Sequence, residues 1–181
     1  MKLFTAVMMT VAMTSIFASS VMAAGPAEEV IPGEGGAFNF LNGDVLVTDI
    51  NRLKDFNYGH AAIVYNGKTA EAWPNGDGGL QNKNLSTWTS LSRYAVLRPK
   101  SGGTSAANWA QSEVDRHTIN YFITANLYDK TLTYCSKFVW QSFYYGAGIT
   151  INSVGGMVTP QTLYNDTTHF TRVYNTIGTW Q

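Results

Sequence analysis

The chain has 181 residues, 12 basic against 12 acidic, and a single cysteine. That length suits one domain with an ordinary core. The even charge balance, with no basic stripe, argues against nucleic acid as a partner, and one cysteine excludes an internal disulfide framework.

The first element is an address. Met1-Lys2 gives a short positive start, and an apolar run with small residues towards its end follows. Val21 and Ala23 fit the small-residue positions before a signal-peptidase cut, so residues 1–23 read as a secretory signal peptide. The run is short and broken by Thr and Ser, unlike a membrane span, and no cysteine follows it to carry a lipoprotein anchor. The mature chain is expected to be exported, periplasmic or secreted, soluble and without an integral membrane segment. Residues 24–42 are rich in Gly, Pro and Glu and read as an extended segment. Residues 43–181 read as one domain.

"GDVLVTD" opens that domain as a mostly buried strand. "NRLKDFNYG" reads as a loop or helical turn, "GHAAIVYNGKTAEAW" as a hairpin, and "WPNGDGGLQNKNLSTW" as turn-rich. "RYAVLRP" is another strand. Ala106, Trp109, Ala110 and Val114 recur at helical spacing, giving a surface helix over Ala106–His117. "DKTLTYCSKFVWQSFYYGAG" reads as a second helix, with Thr133 as its cap and Gly146 as its end. Thr159-Pro160 starts a short third helix, and "FTRVYN" is a last strand. The order implies an α+β fold with an antiparallel sheet packed on helices.

Asn66-Gly67 is a strong two-residue hairpin signal, because both central residues need positive φ. With that turn, Tyr65 faces Lys68, Val64 faces Thr69 and Ile63 faces Ala70. His60 and Glu71 then share one face as diagonal neighbours, about 7–8 Å apart at the backbone. A carboxylate there would accept the imidazole Nδ1 proton, fix the tautomer and stabilise the imidazolium. The other reading is a solvated pair of little energetic weight.

Cys135 falls near a helix start, where the partial positive charge favours thiolate. Paired with His60 it becomes a nucleophile, and its own backbone N–H becomes an oxyanion donor. Tyr134 and Tyr58 are candidates for a second donor, with a structural role favoured for each; Tyr134 is also a candidate substrate contact. The alternative for Cys135 is a buried structural thiol.

These residues carry a resemblance. "GDVLV", "GHAAIVYNG" with "EAW", "YCSKFVWQSFY" and "VTPQTLY" resemble, in order and spacing, the circularly permuted papain-like amidases, the YaeF/YiiX-like branch of the NlpC group of bacterial cysteine hydrolases. The resemblance spans residues 43–164. It implies a permuted papain-like fold with the nucleophile at a helix N-terminus, Cys135 as nucleophile, His60 as base and Glu71 as third member. It implies no cofactor. Lys137 stands where that family usually has an acid. Lecithin–retinol acyltransferase-like enzymes share a similar order, which keeps lipid acyl transfer open.

Among the other candidates, Asp44 suits either a substrate amine or a strand-start hydrogen bond, the latter being favoured. Trp73 is the best candidate for a cleft wall, with Trp88, Trp109 and Trp140 in the core. His117 and His169 lack metal-ligand spacing, so no metal site is expected. The resulting expectation is an exported cysteine amidase or peptidase cleaving an amide through a thioester, on a peptide or peptidoglycan fragment. The alternatives are a thiol acyltransferase or lipid hydrolase acting on an acylated small molecule, or a non-catalytic binding module on the same fold.

Overall fold

The computed structural model describes residues 31–32, 39–50, 58–75 and 79–181. The expected signal peptide and most of the "NRLKDFNYG" connection lie outside these residues, as does the tip of the Gly-rich loop after Trp73.

Six strands build the central sheet: β3 (Val45–Thr48), β4 (His60–Tyr65), β5 (Lys68–Ala72), β6 (Leu80–Asn84), β7 (Ala95–Pro99) and β10 (Phe170–Asn175). Their order is β10-β7-β3-β4-β5-β6, antiparallel throughout. The inner strands are buried on both faces, which is why "VLV" and "HAAIV" are nearly continuous apolar runs rather than alternating ones.

Helices α2 (Gly103–Arg116) and α3 (Cys135–Gln141) cover one face. There Val45, Val47, Ala61, Ile63, Ala70 and Ala72 meet Ala106, Ala110, Phe138 and Val139. Leu46, Ala62, Val64 and Val96 form the opposite face, covered by Phe40, Tyr94, Leu85 and Trp88. Trp88 lies on the one-turn helix α1 (Ser86–Thr89).

The hairpin has the register its sequence predicts. Asn66 and Gly67 both take positive φ, 44° and 73°, and Ile63, Val64 and Tyr65 pair with Ala70, Thr69 and Lys68. The Asn42 side chain clasps the turn, accepting from the Asn66 backbone N–H at 2.7 Å and donating to the Asn66 side chain at 3.0 Å. Phe40 and Asn42 thus belong to the folded unit although the sequence places them in the extended segment. Asn39–Phe40 (β2) also pairs with Ile31–Pro32 (β1).

Three elements differ from expectation. The turn-rich stretch after Trp73 contains β6 and α1, because pairing along the β5 edge overrides a weak local preference for strand in "LQNKN". The second helix starts at Cys135, not after a Thr133 cap. Leu132–Thr133 (β9) pairs in parallel with Asn120–Tyr121 (β8), and Tyr134 is still extended at φ −143°. That helix runs on as a π-helical segment, Ser142–Ala147, and ends at Gly148 with φ 68°, beyond Gly146. Gly146 serves packing instead: a Cβ there would lie 2.7 Å from the Ser105 carbonyl oxygen and from Trp109 Cβ on α2.

Helix α4 (Pro160–Asn165) starts where predicted. The Thr159 hydroxyl accepts from the Thr162 N–H at 3.0 Å in a reciprocal capping box.

Candidate functional site

Cys135 is the first residue of α3, and His60 is the first residue of β4. Helix α3 packs on β4 and β5, which brings its N-terminus to the end of the sheet where His60 stands. Gly59 makes this approach possible. It has φ +76°, and a Cβ there would lie 2.0 Å from the Thr48 carbonyl oxygen.

Glu71 is fully buried, yet every hydrogen bond it needs is present. It accepts from His60 Nε2 at 2.9 Å and Trp73 Nε1 at 2.7 Å on Oε2. On Oε1 it accepts from Trp88 Nε1 at 2.7 Å and the Thr69 hydroxyl. Burial alone would raise its pKa, but the hydrogen bonds and charge of His60, with Thr69 and Trp88, hold it near 2.

The His60 ring is fully buried, 4.5 Å from the Trp73 ring and 5.6 Å from Trp88 by centroid. Glu71 takes Nε2, not the Nδ1 expected from sequence. Nδ1 is buried with no hydrogen-bond partner among the described residues, and it is the nitrogen left for Cys135. Burial opposes the imidazolium, but the Cys135 sulfur and the Glu71 carboxylate raise His60 to about 9. Burial likewise favours the neutral thiol of Cys135. The His60 ring and the Ala61 backbone N–H outweigh it and lower the thiol pKa. Both shifts run in the direction of thiolate beside imidazolium.

A cavity of about 610 Å³ opens over Cys135. Tyr58, Pro74, Tyr121, Phe122, Ile123 and Met157 supply much of its wall, and among the described residues no Asp, Glu, Lys, Arg or His lines it. Tyr134 lines it too, with its hydroxyl oxygen accepting the Val158 N–H at 3.1 Å.

Two expected substrate contacts lie elsewhere. Trp73 stands outside the lining, with its indole N–H committed to Glu71. Asp44 precedes β3, whose far end pairs with His60, so it sits about four strand residues, roughly 13 Å, from that histidine. Its carboxylate takes the Leu41 N–H at 2.9 Å and two Arg98 donors at 3.0 and 2.9 Å. His117 ends α2 in a left-handed conformation, and His169 pairs with Asp166 at 2.7 Å.

Sequence reasoning passed over Thr69 and Trp88. Thr69 was readable, since residues two apart on a strand share a face. Trp88 was not, because its indole reaches Glu71 only through the tertiary placement of α1. Lys137 is fully buried, its Nζ donating to the Asn126 carbonyl at 2.7 Å, and burial lowers its pKa.

Among the described residues no group of three or more His, Cys, Asp or Glu side chains is placed to hold a metal ion. No described helix is long and apolar enough to cross a membrane.

The mixed α+β fold, with an antiparallel sheet on helices, has a counterpart among solved structures. The metalloprotein YiiX from Escherichia coli O157:H7 is similar in fold, with a TM-score of 0.51 at 15% identity over 77% of this chain and 98% of that one. The chain belongs to the family described as lipoprotein N-acylation protein LnsA-like, whose model matches residues 1–175. It is also similar to an uncharacterized 30.3 kDa protein of Bacillus thuringiensis, 28% identical over 167 residues. That alignment covers 81% of this chain and 60% of the relative, so the chain spans about three fifths of the relative's length.

Proposed function

We propose that this chain is an envelope cysteine acyltransferase of permuted papain-like type, exported by residues 1–23, that takes an acyl chain from a lipid ester and passes it to an amine. The observation that carries this reading is the cavity over Cys135: its wall is mostly aromatic and aliphatic, with no Asp, Glu, Lys, Arg or His among the described residues that line it. A cell-wall peptide brings carboxylates and amines that such a wall would leave unpaired. An acyl chain needs only apolar surface. Membership in the LnsA-like family supports the same direction.

In this scheme the Cys135 thiolate attacks the ester carbonyl carbon. The Cys135 backbone N–H stabilises the tetrahedral oxyanion. The C–O bond breaks, the His60 imidazolium gives its proton to the departing alkoxide, and a thioester remains on Cys135. An amine then attacks the thioester, His60 takes the amine's proton, and the C–S bond breaks to release the amide and restore the thiolate. Glu71 holds the ring and stabilises its charged form throughout.

The test is intact-protein mass spectrometry after incubation with phosphatidylglycerol vesicles carrying isotopically labelled acyl chains. The expected product is one labelled chain per protein, released by hydroxylamine and absent from Cys135→Ala. Cleavage of muropeptides with no acyl adduct would overturn the proposal in favour of an amidase.

A further inference from the structure

Trp73 and Trp88 each touch two members of the site at once. The Trp73 indole N–H donates to Glu71 Oε2 at 2.7 Å, the oxygen that also takes His60 Nε2, and its ring lies 4.5 Å from the imidazole at a tilt of 46°. The Trp88 indole N–H donates to Oε1 at 2.7 Å, and its ring stacks on the imidazole at 5.6 Å and 18°. Trp88 comes from outside the strands that carry the pair. Edge strand β6 pairs with β5, placing Gln81 opposite Glu71, and α1 follows β6 directly and packs on it. From β6, Lys83 sets its Nζ 4.7 Å from the centroid of the Trp73 ring.

This geometry restrains both partners. Each Glu71 oxygen accepts two directional donors, with the Thr69 hydroxyl completing Oε1, so turning the carboxylate would break four hydrogen bonds. The imidazole cannot exchange Nε2 for Nδ1 without pushing aside an indole that is itself tied to Glu71. An indole face also favours a cation beside it. A buried carboxylate is costly, and a contact that served packing alone would do as well with apolar side chains.

We infer that Trp73 and Trp88 are positioning residues: each ties the Glu71 carboxylate through its N–H and the His60 ring through its face, and together they hold Nδ1 towards Cys135. The inference rests on the reading of Cys135 and His60 as nucleophile and base, and holds for any carbonyl substrate. The charged or titratable groups that meet this clamp are Glu71 from β5, Cys135 from α3 and Lys83 from β6, with Tyr121 and Tyr134 beside Cys135 in the cavity.

The chain has one cysteine and three histidines. Iodoacetamide alkylation therefore reports Cys135 alone, and ring-nitrogen NMR follows His60, assigned by its absence from His60→Asn. Side-chain carboxyl NMR follows Glu71, assigned by its absence from Glu71→Gln. Trp88→Phe keeps a ring and removes the N–H, whereas Trp88→Leu removes both. Trp73→Phe and Trp73→Leu repeat the comparison if a Trp88 variant fails to fold. The expected result in either Phe variant is alkylation at pH 6 slowed about ten- to hundredfold. Glu71 should begin to titrate about one pH unit higher, because its charged form has lost a donor. His60 should titrate at lower pH in the Leu variant than in the Phe variant, because the face that favours the cation is gone. An unmoved Glu71 titration, or His60 titrating alike in Phe and Leu variants, overturns the proposal and leaves the tryptophans to packing. Wild-type Cys135 that reacts no faster than free cysteine removes the nucleophile reading instead, and the two titrations still decide the clamp.

Discussion

At the scale of single residues, the site depends on how Glu71 controls His60. Removing the proposed nucleophile in Cys135→Ser, or the proposed base in His60→Ala, should lower kcat by at least about a thousandfold in a folded protein. The pH profile follows from the raised imidazole. The active pair needs His60 protonated, so kcat/KM should fall as pH rises through about 9. In Glu71→Gln the anion that raises His60 is gone, and the alkaline limb should move to lower pH. A limb that stays in place would mean that Glu71 does not act on the titrating group. Most of this pairing was legible in sequence, because Asn66-Gly67 sets the register and the register puts His60 and Glu71 on one face. Which nitrogen Glu71 holds was not legible, since the depth of a carboxylate beneath a sheet face is decided by the tryptophans packed around it.

At the scale of elements, two devices position the site. Gly59 lets the chain enter β4 against Thr48. Gly59→Ala should destabilise by about 1–3 kcal/mol from backbone strain alone, and activity should fall further than stability because His60 follows directly. Chemical denaturation and steady-state rates on the same sample check this. The second device is a strap. Along one side of α3 and its π-helical extension, Lys137, Gln141 and Tyr145 donate to the carbonyls of Asn126 to Asp129 in turn, at 2.7 to 3.2 Å. That strap anchors the segment leading out of Phe122–Ile123 in the cavity wall. Lys137→Ala leaves a carbonyl without its donor and should cost about 1–3 kcal/mol, with faster amide exchange across 122–129. The helix spacing of Lys137, Gln141 and Tyr145 is visible in sequence, but their common target is an irregular loop with no periodic signal. The cavity wall escaped sequence reading for the same reason: Tyr121–Ile123 and Met157–Val158 lie outside the long regular elements.

At the scale of the whole molecule, a carboxylate buried between sheet and α1 makes folding sensitive to acid. The Glu71 pKa is depressed in the fold, so its ionised form stabilises the native state above the ordinary value of 4.5, and this contribution is lost as pH falls towards about 2. Urea unfolding midpoints should therefore drop across that window, with a shallower drop in Glu71→Gln. Equal slopes would place the acid sensitivity elsewhere. The same four donors also bear on heredity. His60 comes from β4, Thr69 from β5, Trp88 from α1 and Trp73 from the residue just after β5, and all converge on one side chain. A lineage that replaced Glu71 with a side chain lacking acceptor oxygens would remove the acceptor that two buried indole N–H groups share. Such a change should be accompanied by changes at the tryptophans. Among diverging relatives, then, positions 69, 71, 73 and 88 should be retained together or rewritten together.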